Sequence, residues 1–131
     1  MLNISKTSEV SVFGGYNDAP WDISFGAGKS SEEAFLFGLK FHACLAPKNI
    51  TPKTGYNENS VYLNSDHGTL FGNVHDLCIG FYICPDLIKL YSNIGNMYKL
   101  PGGASNTFLT GKAGNSPNNV FKVSEVEVIK V

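Results

Sequence analysis

Long apolar runs are missing from this sequence. No stretch approaches the roughly 20 consecutive apolar residues of a membrane span. The opening residues Met1-Leu2-Asn3-Ile4-Ser5-Lys6 lack the apolar segment of a signal peptide. Charge is scarce as well: charged residues make up 16% and the net charge is −1, so no basic footprint for nucleic acid or an anionic membrane is present. Cysteine is limited to Cys44, Cys78 and Cys84, an odd set without tight pairing. In a chain with no secretion signal these read as reduced, packed thiols. The sequons Asn3-Ile4-Ser5 and Asn49-Ile50-Thr51 then carry no weight, and the expected compartment is cytosol or nucleus.

Uninterrupted helix-length segments are also lacking. Fourteen glycines and six prolines, with many asparagines, break the chain often enough to leave room for strands but not for long helices. Hydrophobic residues at 43% of a 131-residue chain suffice for one core and one domain. The clearest strand is Phe35-Leu36-Phe37-Gly38-Leu39-Lys40-Phe41, where Phe35, Phe37, Leu39 and Phe41 share one face at period two and are expected to pack on a core. Further strands are expected at 11–16, 60–64, 77–82, 107–111 and 121–131. The last changes phase, and a β-bulge near Ser124-Glu125 reconciles its halves. Ser31 before Glu32 and Glu33 resembles a helix start of one turn at most. The segments 46–59 and 112–119 read as connections. The fold class expected is mainly β (α+β), a two-sheet antiparallel β-sandwich with short helical turns.

The patterns with chemically capable residues are weak. Gly26-Ala27-Gly28-Lys29-Ser30 looks like the end of a phosphate-binding loop. Ile23 holds the place of the earlier glycine such a loop needs, and no apolar strand leads in, so a solvated loop is expected. Asp66-His67 and His75-Asp76 offer zinc-type ligands, but in no known ligand spacing. Cys44 lies two residues from His42, with nothing to orient the pair or bind an oxyanion. Cys78 sits in an apolar run and should be buried and inert. Glu32, Glu33, Glu125 and Glu127 read as solvated or edge-strand charges. No catalytic residue, cofactor or metal is expected from spacing.

Several segments in order resemble the TLDc domain family. Val12-Phe13-Gly14-Gly15-Tyr16 with Trp21 is similar to its FGGY…W opening. Phe25-Gly26 and Ala34-Phe35-Leu36-Phe37-Gly38-Leu39 resemble its glycine-rich turn and FLFSL strand. His67-Gly68-Thr69-Leu70-Phe71-Gly72-Asn73-Val74-His75-Asp76-Leu77 resembles the GPTFGGGHDL stretch of protist and related members. Tyr91-Ser92-Asn93-Ile94-Gly95-Asn96-Met97-Tyr98 resembles SYSNLGHSY. Phe108-Leu109-Thr110-Gly111 and Phe121-Lys122-Val123-Ser124-Glu125-Val126-Glu127-Val128 resemble the FLAG and FKVSEIEVF close. The resemblance implies a sandwich of two antiparallel sheets, association with the peripheral part of the V-type proton ATPase, protection against oxidative damage, and no agreed active site. Two departures accompany it. The family's strands ahead of FGGY are expected to be absent, leaving 1–131 a single domain without them. The central glycine run is reduced to Gly72-Asn73-Val74, where valine resists a positive φ.

The function expected is a non-enzymatic, cytoplasmic protein-interaction module. Its candidate partner-binding loop comprises Asp66, His67, Phe71, Gly72, His75 and Asp76, with 91–98 beside it in sequence. The competing reading makes the same residues the loop that holds the sandwich together. Two other classes stay open. One is a thiol- or hydrolase-type enzyme using Cys44 or Cys84. The other is a carbohydrate-binding sandwich, suggested by Trp21, the tyrosines and the asparagines.

Overall fold

The computed structural model describes residues 2–7, 11–18, 27–29, 31, 33–41, 46–56, 60–64, 68–72, 76–79, 90–102, 104–111 and 123–130. Among them the chain forms strands and turns and no α-helix. Among the described residues no helix is long and apolar enough to cross a membrane. The strands are β1 (Leu2–Thr7), β2 (Val12–Tyr16), β3 (Ala27–Lys29), β4 (Phe35–Lys40) and β5 (Lys48–Ile50), then β6 (Val61–Asn64), β7 (Gly68–Phe71), β8 (Leu77–Ile79), β9 (Leu90–Ser92) and β10 (Val123–Ile129).

They form two sheets, the first in the order β10-β1-β2-β4-β5 and the second β3-β6-β7-β8-β9. Neighbours in each are antiparallel. The core between them contains Phe13, Leu36, Ile50, Val61, Phe71, Leu77, Ile94, Met97, Tyr98 and Phe108. Burying a large apolar side chain of this kind contributes about 1.5–3 kcal/mol. The expected mainly β, two-sheet antiparallel architecture is therefore the one observed.

How closely the sheets approach depends on the VFGGY segment. Gly15 lies in β2, and a Cβ on it would collide with the ring of Phe71 in β7. The aromatic ring of one sheet thus sits on bare backbone of the other, and no residue larger than glycine fits there.

Several expectations need correction. Phe35, Phe37, Leu39 and Phe41 do not share the core face. In the β2–β4 ladder Phe13 pairs with Gly38 and Val12 with Lys40, so Leu39 is an extra, unpaired residue. This bulge splits the stripe. Leu36, Gly38 and Phe41 are buried, Phe35 and Phe37 are half-buried on the opposite face, and Leu39 is 56% exposed. Residues 27–29 form a strand paired with β6 rather than a solvated loop. The 46–59 connection contains β5. Residues 107–111 form a turn, closed by the Gly111 N–H donating to the Thr107 carbonyl at 2.7 Å, because Phe108 must swing inward to meet Phe41 at a ring-centroid distance of 5.3 Å.

The bulge expected in the last strand is present. Lys6 pairs with Glu125 and Thr7 with Val123, leaving Ser124 extra. Its hydroxyl donates to the Lys6 carbonyl at 3.1 Å. β1 lies ahead of the VFGGY segment, between β10 and β2, a strand the sequence pattern left unassigned. Ser31 does not start a helix: its hydroxyl donates to the Asp18 carboxylate, which lowers the Asp18 pKa from its ordinary value.

Candidate functional site

Asp76 precedes β8 and is buried without exposed surface. An isolated buried carboxylate is costly, and here four consecutive backbone N–H groups point at it. Gly95 and Asn96 donate to Oδ2 at 3.1 Å each, Met97 donates to Oδ1 at 3.0 Å, and Tyr98 donates to Oδ2 at 3.1 Å. Successive N–H groups converging in this way form an anion-binding concavity, and the chain fills it with its own side chain. Burial pushes the Asp76 carboxyl above its ordinary value, while the N–H groups of Met97, Tyr98, Gly95 and Asn96 pull it back. The oxygens are taken up by these donors, so the group anchors a loop.

Local sequence explains the loop. Gly95 has φ +120°, a conformation that glycine enters at little cost. Ile94, Met97 and Tyr98 are buried and pin the turn to the core. The Lys53 ammonium donates to the Gly95 carbonyl at 2.5 Å. Residues 51–53 run antiparallel to 97–99: Lys53 N–H donates to Met97 O at 2.7 Å and Lys99 N–H to Thr51 O at 2.9 Å, around a Pro52–Tyr98 bridge. From there Tyr98 reaches across, its hydroxyl donating to Ser60 O at 2.7 Å. Burial and the negative charge of Asp76 raise the Tyr98 pKa, so the phenol stays protonated as that donor.

Gly72 closes the assembly on the β7 side. It has φ +82°, donates its N–H to Ser60 O at 2.7 Å, and would bring a Cβ to 2.7 Å from Asp76 Oδ1.

Of the candidate loop, Phe71, Gly72 and Asp76 are all buried. Asp66, His67 and His75 lie outside the described residues, as do His42, Cys44, Cys84 and Trp21. The structure brings Asp76 onto 95–98, a contact that proximity in sequence alone did not reveal. An acidic residue followed some twenty positions later by an Asn-Ile-Gly-Asn turn was the signal for it. Cys78 is a fully buried thiol. No group of three or more His, Cys, Asp or Glu among the described residues is placed to hold a metal ion.

No curated protein and no solved structure matches this chain. The sequence model of the TLDc domain matches residues 1–131. With that match over the full length, the chain belongs to the TLDc domain family.

Proposed function

We infer that this chain is a non-catalytic, cytoplasmic TLDc interaction module that presents the loop 93–100 as a preformed binding surface. The observation that carries this reading is the capture of the Asp76 carboxylate by the four N–H groups of 95–98. A loop held this way loses little conformational entropy on binding, which is how pre-organisation raises affinity. Its outer side carries half-buried Asn93 and Asn96 and exposed Lys99 and Leu100, with Leu100 39% exposed. Exposed Tyr56 is joined to the same surface through Lys53, whose carbonyl accepts the Tyr56 N–H at 3.0 Å. An apolar residue flanked by amides and a cation suits a protein surface. The family resemblance suggests peripheral subunits of the V-type proton ATPase as the partner and resistance to oxidative damage as the process.

The test is binding of the purified chain to those purified subunits. Lys99→Glu with Leu100→Asp is expected to abolish capture while the thermal unfolding midpoint stays within about 3 °C of the parent. Asp76→Asn is expected to lose both capture and stability. Undiminished capture by the Lys99/Leu100 variant would remove this surface from consideration.

A further inference from the structure

Charge divides this chain by region. The two longest runs of sequence without an acidic residue are 34–57, between Glu33 and Glu58, and 87–124, between Asp86 and Glu125. The fold sets them side by side. Thr51 O accepts the Lys99 N–H and Met97 O accepts the Lys53 N–H, around the Pro52–Tyr98 bridge. Surface built from both runs carries cations with no acid among them, although the net charge of the whole chain is −1.

Three lysines stand there. Lys53 and Lys99 are diagonal across the pairing, a spacing of roughly 7–8 Å. The Lys53 ammonium reaches a carbonyl, that of Gly95, and Lys99 is exposed. Lys48 is exposed in β5, three residues before Thr51, or about 10 Å along an extended strand. Among the described residues the ion pair present is Lys6 with Glu125, on β1 and β10, so these three ammonium groups face no carboxylate. Asp76 lies buried below them with its oxygens engaged by the N–H groups of 95–98. Apolar side chains lie among the cations. Leu100 covers Gly95, where a Cβ would come to 3.0 Å of it, and exposed Tyr56 donates its N–H to the Lys53 carbonyl. The chain contains no arginine, the residue favoured for forked pairing with phosphates, and its net charge gives no long-range attraction to a membrane or nucleic acid. A peptide carboxylate needs neither.

We propose that the 93–100 surface takes an acidic segment of a protein partner, its carboxylates on Lys53, Lys99 and Lys48 and an apolar side chain between them on Leu100 and Tyr56. The proposal rests on the reading of 93–100 as the binding face and adds the chemistry of what it binds. The experiment is fluorescence anisotropy of the full chain with the labelled peptide Gly-Glu-Glu-Leu-Glu-Glu-Gly and with its counterpart carrying Gln at each Glu. The acidic peptide is expected to bind, and to weaken about tenfold between about 50 and about 300 mM salt. The amide peptide should bind about tenfold more weakly and be indifferent to salt. Lys99→Gln is expected to weaken the acidic peptide about fivefold and leave the amide peptide unchanged, while Leu100→Ser weakens both. Lys130→Gln, just past β10 at the opposite edge of the first sheet from β5, should change neither. Equal binding of the two peptides overturns the proposal, as does equal weakening by Lys99→Gln and Lys130→Gln, or no binding of the acidic peptide up to about 1 mM. Pelleting of the chain with phosphatidylserine vesicles in place of peptide binding assigns the cations to a membrane and overturns it too. In each case the binding face itself still stands if the Lys99/Leu100 variant loses capture of the proton-pump subunits, and falls if capture is undiminished.

Discussion

Asp76 shows how one side chain can set the geometry of a distant loop. An asparagine in its place keeps the shape, but its single carbonyl oxygen accepts fewer of the four N–H groups, and its own NH₂ is turned toward donors. Asp76→Asn is expected to cost about 1–3 kcal/mol, the desolvation penalty of the donors left unmet, read from urea unfolding. Its pH dependence tests the balance of burial against hydrogen bonding. Burial raises this carboxyl above its ordinary 3.8, so the folded chain holds the proton more tightly than the unfolded one. The stability tied to the group is then fully present below about 3.8 and is lost as pH rises through the folded value. The penalty of Asp76→Asn should accordingly shrink from acid toward neutral pH. A penalty that grew with pH would show that the N–H groups outweigh burial.

The same scale holds an opposite case in β1. Asn3 and Ser5 are completely buried, and among the described residues neither amide atom of Asn3 nor the hydroxyl of Ser5 has a hydrogen-bond partner. Ser5→Ala removes an unmet donor at small cost in packing, so the chain should become about 1 kcal/mol more stable. A destabilised Ser5→Ala variant would mean the hydroxyl is satisfied in solution.

At the scale of elements, the contact between β2 and β7 governs how the sheets stack. Gly15→Ala drives a methyl into the Phe71 ring and is expected to cost about 1–3 kcal/mol as overpacking. Phe71→Leu creates its own deficit, but in the double variant the two should be less than additive, since the clash needs both partners. Simple additivity would place the strain elsewhere. Elements were legible where β-branched, aromatic and apolar residues cluster between breakers: the residues of β2, β6 and β8 lie within the segments read as strands, and the Ser124 bulge followed from the phase change in 121–131. The pattern misled wherever polar and apolar exchanged faces. β1 turns Asn3, Ser5 and Thr7 inward and leaves Leu2 and Ile4 half-buried, so its alternation reads inverted. The Phe35–Phe41 stripe has period two, but periodicity says only that residues share a face, and a bulge at Leu39 moved Phe41 to the other one. The Asp76 site was half legible. Its residues stood among the candidates, but its chemistry rests on backbone N–H groups, which no side-chain pattern announces.

Over the whole molecule the chain closes on itself, with first strand against last. Ser124 bonds to Lys6 across a separation of 118 residues, and Val123 and Val126 of β10 pack on the core. In contrast, β6, β7 and β8 are successive neighbours joined by short connections. Closing a long loop costs entropy before any contact repays it, so non-local pairing tends to come late. Val61, buried in β6 and paired with Phe71, should therefore be structured in the folding transition state, and Val126 should not. Val61→Ala is expected chiefly to slow refolding, and Val126→Ala chiefly to speed unfolding with the refolding rate nearly unchanged. Stopped-flow chevrons of the two variants decide it, provided each loses more than about 0.6 kcal/mol so that the ratio is defined. Should Val126→Ala slow refolding as much as it destabilises, the closing strand would belong to the nucleus. The sandwich would then assemble around its termini rather than around the β6–β7–β8 meander.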